Sequence, residues 1–448
     1  MSNRTNILSW VMSSLLALYV LTVPWPYVSV IWRIAHEDYY YVFTSLIFHW
    51  ADLLALLLLV CGIFAWRWPF QSATRPQMIM LGLLGALLVL TALSTTVAQD
   101  PLVSWIFTGH VLLLFGLVLL LRHIPLPSYV IPAVFGLLLL FQGGVTLAQV
   151  VTQDDVGLQL IGEFDLAPEP GYSVVFGAEQ TWLRGYGVSP HPNILGSILA
   201  AGLVAFFPAL WRVEKPQWYG LALLILAVAF AGLLVTFSRS AWLGFAVGLV
   251  TLFALQWRQL FQWRTVTAGG VLAVVGLIFL VTAAPVLFAR FTPEEGQEVT
   301  QSIGERELLI DLAWRTIDEN GVLGMGAGNF SLRLLDWRSD MVIPVIHPVH
   351  HIPLLLTAEL GWLGGFLWLG LMVFPVGYGA YEAWHGRLSP WFAAYTAALV
   401  VMCMSDLYDH FSWNWASGRM WRWLLFAVWI REAAVGYKSP NSASSSAS

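Results

Sequence analysis

The sequence predicts an all-α, polytopic membrane helix bundle of about twelve transmembrane helices, with a large structured extracytoplasmic loop. Three observations predict it. The residues are 58% hydrophobic and only 10% charged, where a soluble domain is about one quarter charged. Apolar runs recur at membrane-crossing length, roughly 20 mostly apolar residues each. The Lys and Arg residues of the short connections fall on alternate loops, which gives those loops a common side. The net charge of -5 contains no basic tract, so nothing points to nucleic acid. Cys61 and Cys403 both lie inside apolar runs, and neither a disulfide framework nor a thiolate metal site can be read from them.

In chain order, spans are expected near residues 7–31, 41–66, 77–96, 102–121, 129–151, 192–211, 218–237, 240–256, 266–289, 352–378, 391–408 and 420–436. The run from Ile7 lacks a small-residue cleavage site and precedes many further spans, so it reads as a retained helix rather than a signal peptide. The seventh and eighth spans are separated only by Ser238-Arg239-Ser240. With the N-terminus inside, Arg75, Arg122, Arg212, Lys215, Arg258, Arg264, Arg387 and Arg431 face the cytoplasm, together with Arg4, Arg67 and Lys438. Both termini are then cytoplasmic, and the two long loops, 152–190 and 291–351, share the extracytoplasmic face of the plasma membrane. The chain divides into an N-terminal five-helix membrane region (1–151), a central region holding both loops (152–378), C-terminal membrane helices (379–440) and a Ser/Ala-rich disordered tail (441–448).

The larger loop reads as a structured cap. Ser302-Ile303-Gly304-Glu305 has the form of a capping box. A helix over about Ile303–Ile317 should follow, with Leu309, Leu312, Ala313 and Ile317 on one face. Gly321, Gly324, Gly326 and Gly328 end it, and Asn329 to Trp337 forms a second short helix. The glycine run is not a nucleotide loop, since Asn329 breaks the spacing and no strand precedes it.

Several residues could carry chemistry. Arg239, in TFSRSAWLG, has flanking serines and no nearby carboxylate, so its donors suit an anion; the alternative is an Arg that snorkels to headgroups. Arg184, in WLRGYGVSPHPNILG, precedes a tight Gly/Pro turn that can bring backbone amides close to a ligand, or it contacts headgroups from an ordinary loop. His191 could cap the following helix, face solvent or act. Arg306 and Arg315 are nine residues apart and so lie on opposite faces of one helix; Arg306 adds to the positive helix start, and Arg315 reads as a surface residue. His350 is the candidate base, because imidazole exchanges protons near neutral pH. His347, His350 and His351 could instead bind metal, but no acidic ligand lies at a matching spacing, and Pro348 and Pro353 interrupt the helix such a pair needs. A structural His at a helix entrance is the third reading. Glu359 is expected to satisfy backbone or an arginine in the bundle; Asp154-Asp155 could bind a divalent cation, but it lies in a solvated acidic loop.

The order of RGYGVSPHPNILG, then TFSRSAWLG, then GERELLIDLAWRTIDENGVLGMGAGNF closing on HHIPLLLTAELGWLG resembles the O-antigen ligase and O-antigen polymerase superfamily over roughly 180–370. The resemblance implies a GT-C-like fold and transfer of a glycan from undecaprenyl diphosphate to an acceptor, either lipid A core or another lipid-linked glycan, on the extracytoplasmic face. It implies that Arg239 matches the family's essential arginine, Arg184 its arginine before the His-Pro-Asn element and Arg306 its large-loop arginine, with Arg184 and Arg239 clamping the diphosphate and Arg306 assisting; His350 matches its loop-terminal histidine, and His351, His191 and Glu359 are secondary candidates. It implies no cofactor and no metal. Family members usually have His-Asn followed by an aromatic and Leu; here His351 stands for the Asn and Pro353 for the aromatic, so either His350 or His351 could point into the site. The chemistry agrees: arginines can stabilise a departing diphosphate without a metal, and an activated donor leaves the acceptor hydroxyl needing only orientation and a base. In-line displacement predicts inversion. Two alternatives stand beside ligation: polymerisation, and, from another class, transport of a lipid-linked glycan. Transport favours charged or broken helices at the midplane and internal repeats, and no repeat is visible.

Overall fold

The computed structural model describes residues 3–26, 28–32, 46–65, 72–124, 126–169, 171–176, 181–289, 293–337 and 347–433. The expected disordered tail at 441–448 lies outside the described residues, as do Arg67 and Lys438. The elements are α1 (Asn3–Thr22), β1 (Val28–Trp32), β2 (Leu46–His49), α2 (Trp50–Ala65), α3 (Arg75–Ser94), α4 (Pro101–His123), α5 (Val130–Thr152), β3 (Val174–Phe176), β4 (Thr181–Leu183), α6 (Pro192–Phe206) and α7 (Pro208–Arg212). They continue with α8 (Pro216–Val235), α9 (Arg239–Leu255), α10 (Trp263–Thr282), α11 (Ala284–Ala289), α12 (Pro293–Asn320), α13 (Phe330–Trp337), α14 (Ile352–Trp384), α15 (Pro390–Asp406), α16 (Phe411–Asn414) and α17 (Ala416–Glu432).

The architecture is the expected all-α polytopic bundle. Among the described residues, seven helices are long and apolar enough to cross a membrane: α3, α4, α5, the α6–α7 run, α8, α10 and α14. The other expected spans fall on α1, whose apolar part is Leu8–Thr22, and on the shorter helices α2, α9, α15 and α17. Two apolar runs are shorter as helices than their composition suggested. Pro24 and Pro26 stop α1, and the β-branched and aromatic residues after them pair as β1 with β2, Val28 opposite His49. Ser238 separates α8 from α9, where the sequence placed that boundary.

α6 sits at the centre, buried along almost its whole length, with α5, α8, α9, α15 and α17 around it. α5 and α8 cross closely because Gly143 faces Gly232: a Cβ on Gly232 would lie 2.8 Å from the Gly143 Cα. Small residues allow such approaches where lipid supplies no hydrophobic drive between helices. α17 is also enclosed. It carries Arg422, buried and paired with Asp406 of α15, with its guanidinium 4.5 Å from the Trp368 ring.

The loop helix α12 starts at Pro293, ten residues before the expected start, so Ser302–Glu305 lie inside it rather than at its cap. Pro293 at the first position supplies that start, its fixed φ already suiting the helix. The expected face holds: Leu309, Leu312, Ala313 and Ile317 are all buried. α14 is not continuous. Gly361 adopts φ 71° and ψ -175°, and the segment after α12 docks into that break. Met325 N–H donates to the Ala358 carbonyl (3.1 Å) and Gly326 N–H to that of Glu359 (2.9 Å).

A Cβ on Gly361 would lie 1.6 Å from the Val322 carbonyl oxygen, at a φ that side chains resist. Gly361→Ala is therefore expected to cost on the order of 3 kcal/mol, read as a lower thermal unfolding temperature of the full chain in detergent. Gly82→Ala, where a Cβ meets nothing within 4 Å, should not lower it.

Candidate functional site

The ends of α3, α5, α8 and α15 and the starts of α4, α6, α9, α14 and α17 meet at one end of the bundle, as cross-links between them show. Asn329 accepts from the Asp100 N–H (2.7 Å), Gly185 N–H donates to the Val235 carbonyl (2.9 Å), and Asn193 Nδ2 donates to Asp409 (3.1 Å). Every sequence-selected residue lies at or next to this end.

Arg184 follows β4 and reaches across to the turn between α8 and α9. Its Nε donates to the Thr236 carbonyl (2.8 Å) and its Nη2 to Asn193 Oδ1 (2.6 Å). The RGYG and TFSRS elements are thus physically joined. Phe237, inside that turn, has φ 50°, a conformation bulky residues rarely take. Arg239 stands in the first turn of α9, exposed, with no hydrogen bond or ion pair among the described residues. Arg306 is likewise exposed, on the opposite side of α12 from Arg315, which bonds Glu319 at 3.0 Å.

Two histidines cap helices. His191 Nδ1 accepts from the Asn193 N–H (3.1 Å), which leaves Nε2 as the protonated nitrogen, 3.0 Å from Ser173 Oγ. His351 Nδ1 accepts from the Leu354 N–H (3.2 Å) and so caps α14. His350 is not used in this way. Its Nδ1 is buried with no hydrogen-bond partner among the described residues, and its ring meets that of His410 edge to face at 4.8 Å. Burial lowers the pKa of His350, while Asp409 opposes the shift and Arg306 adds to it. Burial, followed by the charge of His350, holds His410 well below its ordinary value, and burial brings His191 down to about 4.

Glu359 is fully buried in α14. Its carboxylate accepts from the N–H groups of Gly328 (2.9 Å) and Phe330 (3.3 Å) and from Trp413 Nε1 (2.7 Å). The satisfied groups are two backbone amides, as expected, and an indole in place of an arginine. Asp154 and Asp155 accept from their own turn, including Gly157 N–H at 3.0 Å.

Asp409 and His410 did not stand out in the sequence. They sit between the expected spans at 391–408 and 420–436, some sixty positions after His350. The available signal was an acid and an imidazole in one short connection on the same side as the long loops. The fold brings one ligand atom each from His350, Asp409 and His410 within 4.8 Å of one another. Two imidazoles and a carboxylate could hold a divalent transition metal, so the acidic partner that the spacing around His350 lacked comes from far along the chain.

Fold and site together define a multi-pass membrane protein with cationic and imidazole groups gathered at one end of its bundle. Residues 221–369 match the family model described as O-antigen ligase. That match covers about a third of the chain, and over that stretch the chain is similar to the O-antigen ligase family. The matched stretch includes Arg239, Arg306, His350 and Glu359; Arg184, Asp409 and His410 fall outside it. A comparison with curated proteins finds no match.

Three donors converge on Glu359, and an amide offers them only one oxygen. Glu359→Gln is expected to cost about 1–3 kcal/mol through the donors left unsatisfied. Thermal unfolding of the purified variant against wild type in detergent measures it.

Proposed function

We propose that the protein is an extracytoplasmic glycosyltransferase of the plasma membrane, which moves a glycan from undecaprenyl diphosphate to an acceptor hydroxyl, lipid A core or another glycan, without a cofactor. The observation that carries this reading is the meeting of His350, Asp409 and His410 at the bundle end that also presents Arg184, Arg239 and Arg306. In this reading His350 rather than His351 is the base, since His351 is spent on capping α14. Arg239 and Arg306 meet the diphosphate. Arg184 holds the turn that presents Arg239, through its bonds to Thr236 and Asn193. The catalytic region 152–378 then extends into the C-terminal helices through Asp409.

The reaction proceeds by one displacement. The acceptor oxygen bonds to the anomeric carbon as its proton passes to His350, and the bond from that carbon to the diphosphate oxygen breaks. Undecaprenyl diphosphate leaves with both electrons of that bond, and the arginines stabilise its charge. Attack opposite the leaving group inverts the anomeric centre. In a second reading, favoured by their spacing, His350, Asp409 and His410 would hold a divalent metal, which would supply Lewis-acid polarisation of the acceptor hydroxyl.

Transfer from a purified undecaprenyl-diphosphate glycan in detergent tests both. With EDTA present, wild-type product is expected; its loss and recovery with added zinc would favour the metal. His350→Ala should lower turnover by about 10²–10⁴ and Arg239→Ala by about 10²–10³, with donor binding retained in the first. Near-normal turnover in His350→Ala removes it as the base.

The pH profile is a separate expectation. The His350 pKa lies below its ordinary 6.5, so the base is already neutral at pH 7. Transfer should hold level on acidification to about 6.5 and fall only below it, as the imidazole takes up a proton. An acid limb centred above 6.5 would contradict this assignment.

A further inference from the structure

A second polar cluster lies away from the imidazoles, between the N-terminal helices and α17. Arg419 Nε donates to His110 Nδ1 (2.7 Å), and His110 Nε2 lies 2.8 Å from Asp52. Because a guanidinium can only donate, the His110 proton must sit on Nε2, facing Asp52. Arg419 Nη1 is held by the Trp413 carbonyl at 2.5 Å, and the guanidinium stacks 4.3 Å from the Phe107 ring. Arg419 is 6% exposed, yet its Nη2 has no partner among the described residues.

These groups form the polar side of a cavity of about 320 Å³, which Asn414 and the aromatic rings of Phe48, Phe107 and Trp415 also line. Ile31 and Ile106 line it too and are 67% and 39% exposed, so the mouth is aliphatic. On a membrane-spanning bundle such a mouth faces lipid chains. Asp52, joined to Arg419 through His110, offsets the guanidinium charge, so this chain of groups leaves an occupant no net charge to neutralise. The walls instead offer alternating donors and acceptors beside aromatic faces, which is what hydroxyl-rich rings require.

We propose that this cavity binds a glycolipid, its sugar against Arg419, Asp52 and Asn414 and its alkyl chain leaving between Ile31 and Ile106. Asn414 lies one helical turn from His410, its N–H bonded to the His410 carbonyl at 3.1 Å. As a seat for a lipid-borne acceptor the cavity rests on the transfer reading above; as a binding site it does not.

The test uses the full chain in phospholipid nanodiscs with an alkyl glucoside carrying a photoactivatable group on its chain. Label should map to the β1–β2 hairpin, α4 and the start of α17. Octyl glucoside should displace it, while octanol and octyl phosphate should not. Gly109 lines the cavity with open space where a Cβ would be, so Gly109→Leu should occupy part of it and abolish the displaceable label at unchanged thermal stability. Asp52→Asn should weaken labelling severalfold by removing a charged acceptor. Displacement by octanol, stronger displacement by octyl phosphate with tighter binding in Asp52→Asn, or unchanged labelling of Gly109→Leu would each overturn the proposal. His350→Ala should label normally, so wild type that labels but transfers nothing would sink the transfer reading and leave this one standing.

Discussion

Backbone polar groups inside an apolar bundle must find partners within the protein, and the break in α14 is where this constraint acts most strongly. At Gly361 the helical ladder stops, leaving the carbonyls of Ala358 and Glu359 to the amides of Met325 and Gly326. The Glu359 carboxylate then collects two further amides of the same loop and the Trp413 indole. One buried side chain thereby fixes the approach to α13, the first half of α14 and the short α16. The position of His410 beside His350 follows from these three attachments, since α16 begins at the residue after His410.

A second chain of contacts runs from the other side. Arg184 joins the α8–α9 turn to Asn193, and Asn193 joins Asp409. Below Asp409, Asp406 pairs with Arg422 and accepts from Ser412 at 2.5 Å, which pins the end of α15 to α17. Such a pair between fully buried charges is weak evidence for stability, because desolvation offsets most of the attraction. Its value here is geometric: it fixes the connection that carries Asp409 and His410 at the level of the other site residues.

Composition and run length made the fold class legible, because lipid as solvent leaves few alternatives to a helix bundle. The boundary at Ser238, the α12 face through Leu309 and Leu312, and the short helix ending at Trp337 were equally readable from local pattern. The β1–β2 hairpin was not, since an apolar strand and an apolar helix share a composition and only Pro24 and Pro26 mark the difference. The capping box at Ser302 misled because an earlier proline start satisfied the same helix. In the site, the arginines and His350 announce themselves as polar groups beside apolar runs. Asp409, His410 and the triad of Asp52, His110 and Arg419 do not. Their meaning lies in pairings across some 60 to 370 positions, which no local window contains.

The charge balance of the imidazole group bears on how a single proton transfer could be handled there. His191, His347, His350 and His410 are all held toward their neutral forms by burial, and those of them that are close neighbours disfavour one another's protonation. The group therefore resists taking up charge, and Asp409 is a carboxylate placed to compensate a proton there, since it favours the protonated forms of both His191 and His350. In the proposed displacement that charge arises at His350 as the acceptor loses its proton, at the same moment that negative charge grows on the leaving diphosphate. Arg306, which disfavours a proton on His350 before reaction, is relieved of that repulsion as its own charge is taken up by the diphosphate. The base thus becomes stronger as the bond to the leaving group lengthens, which couples the two halves of the transfer through electrostatics alone.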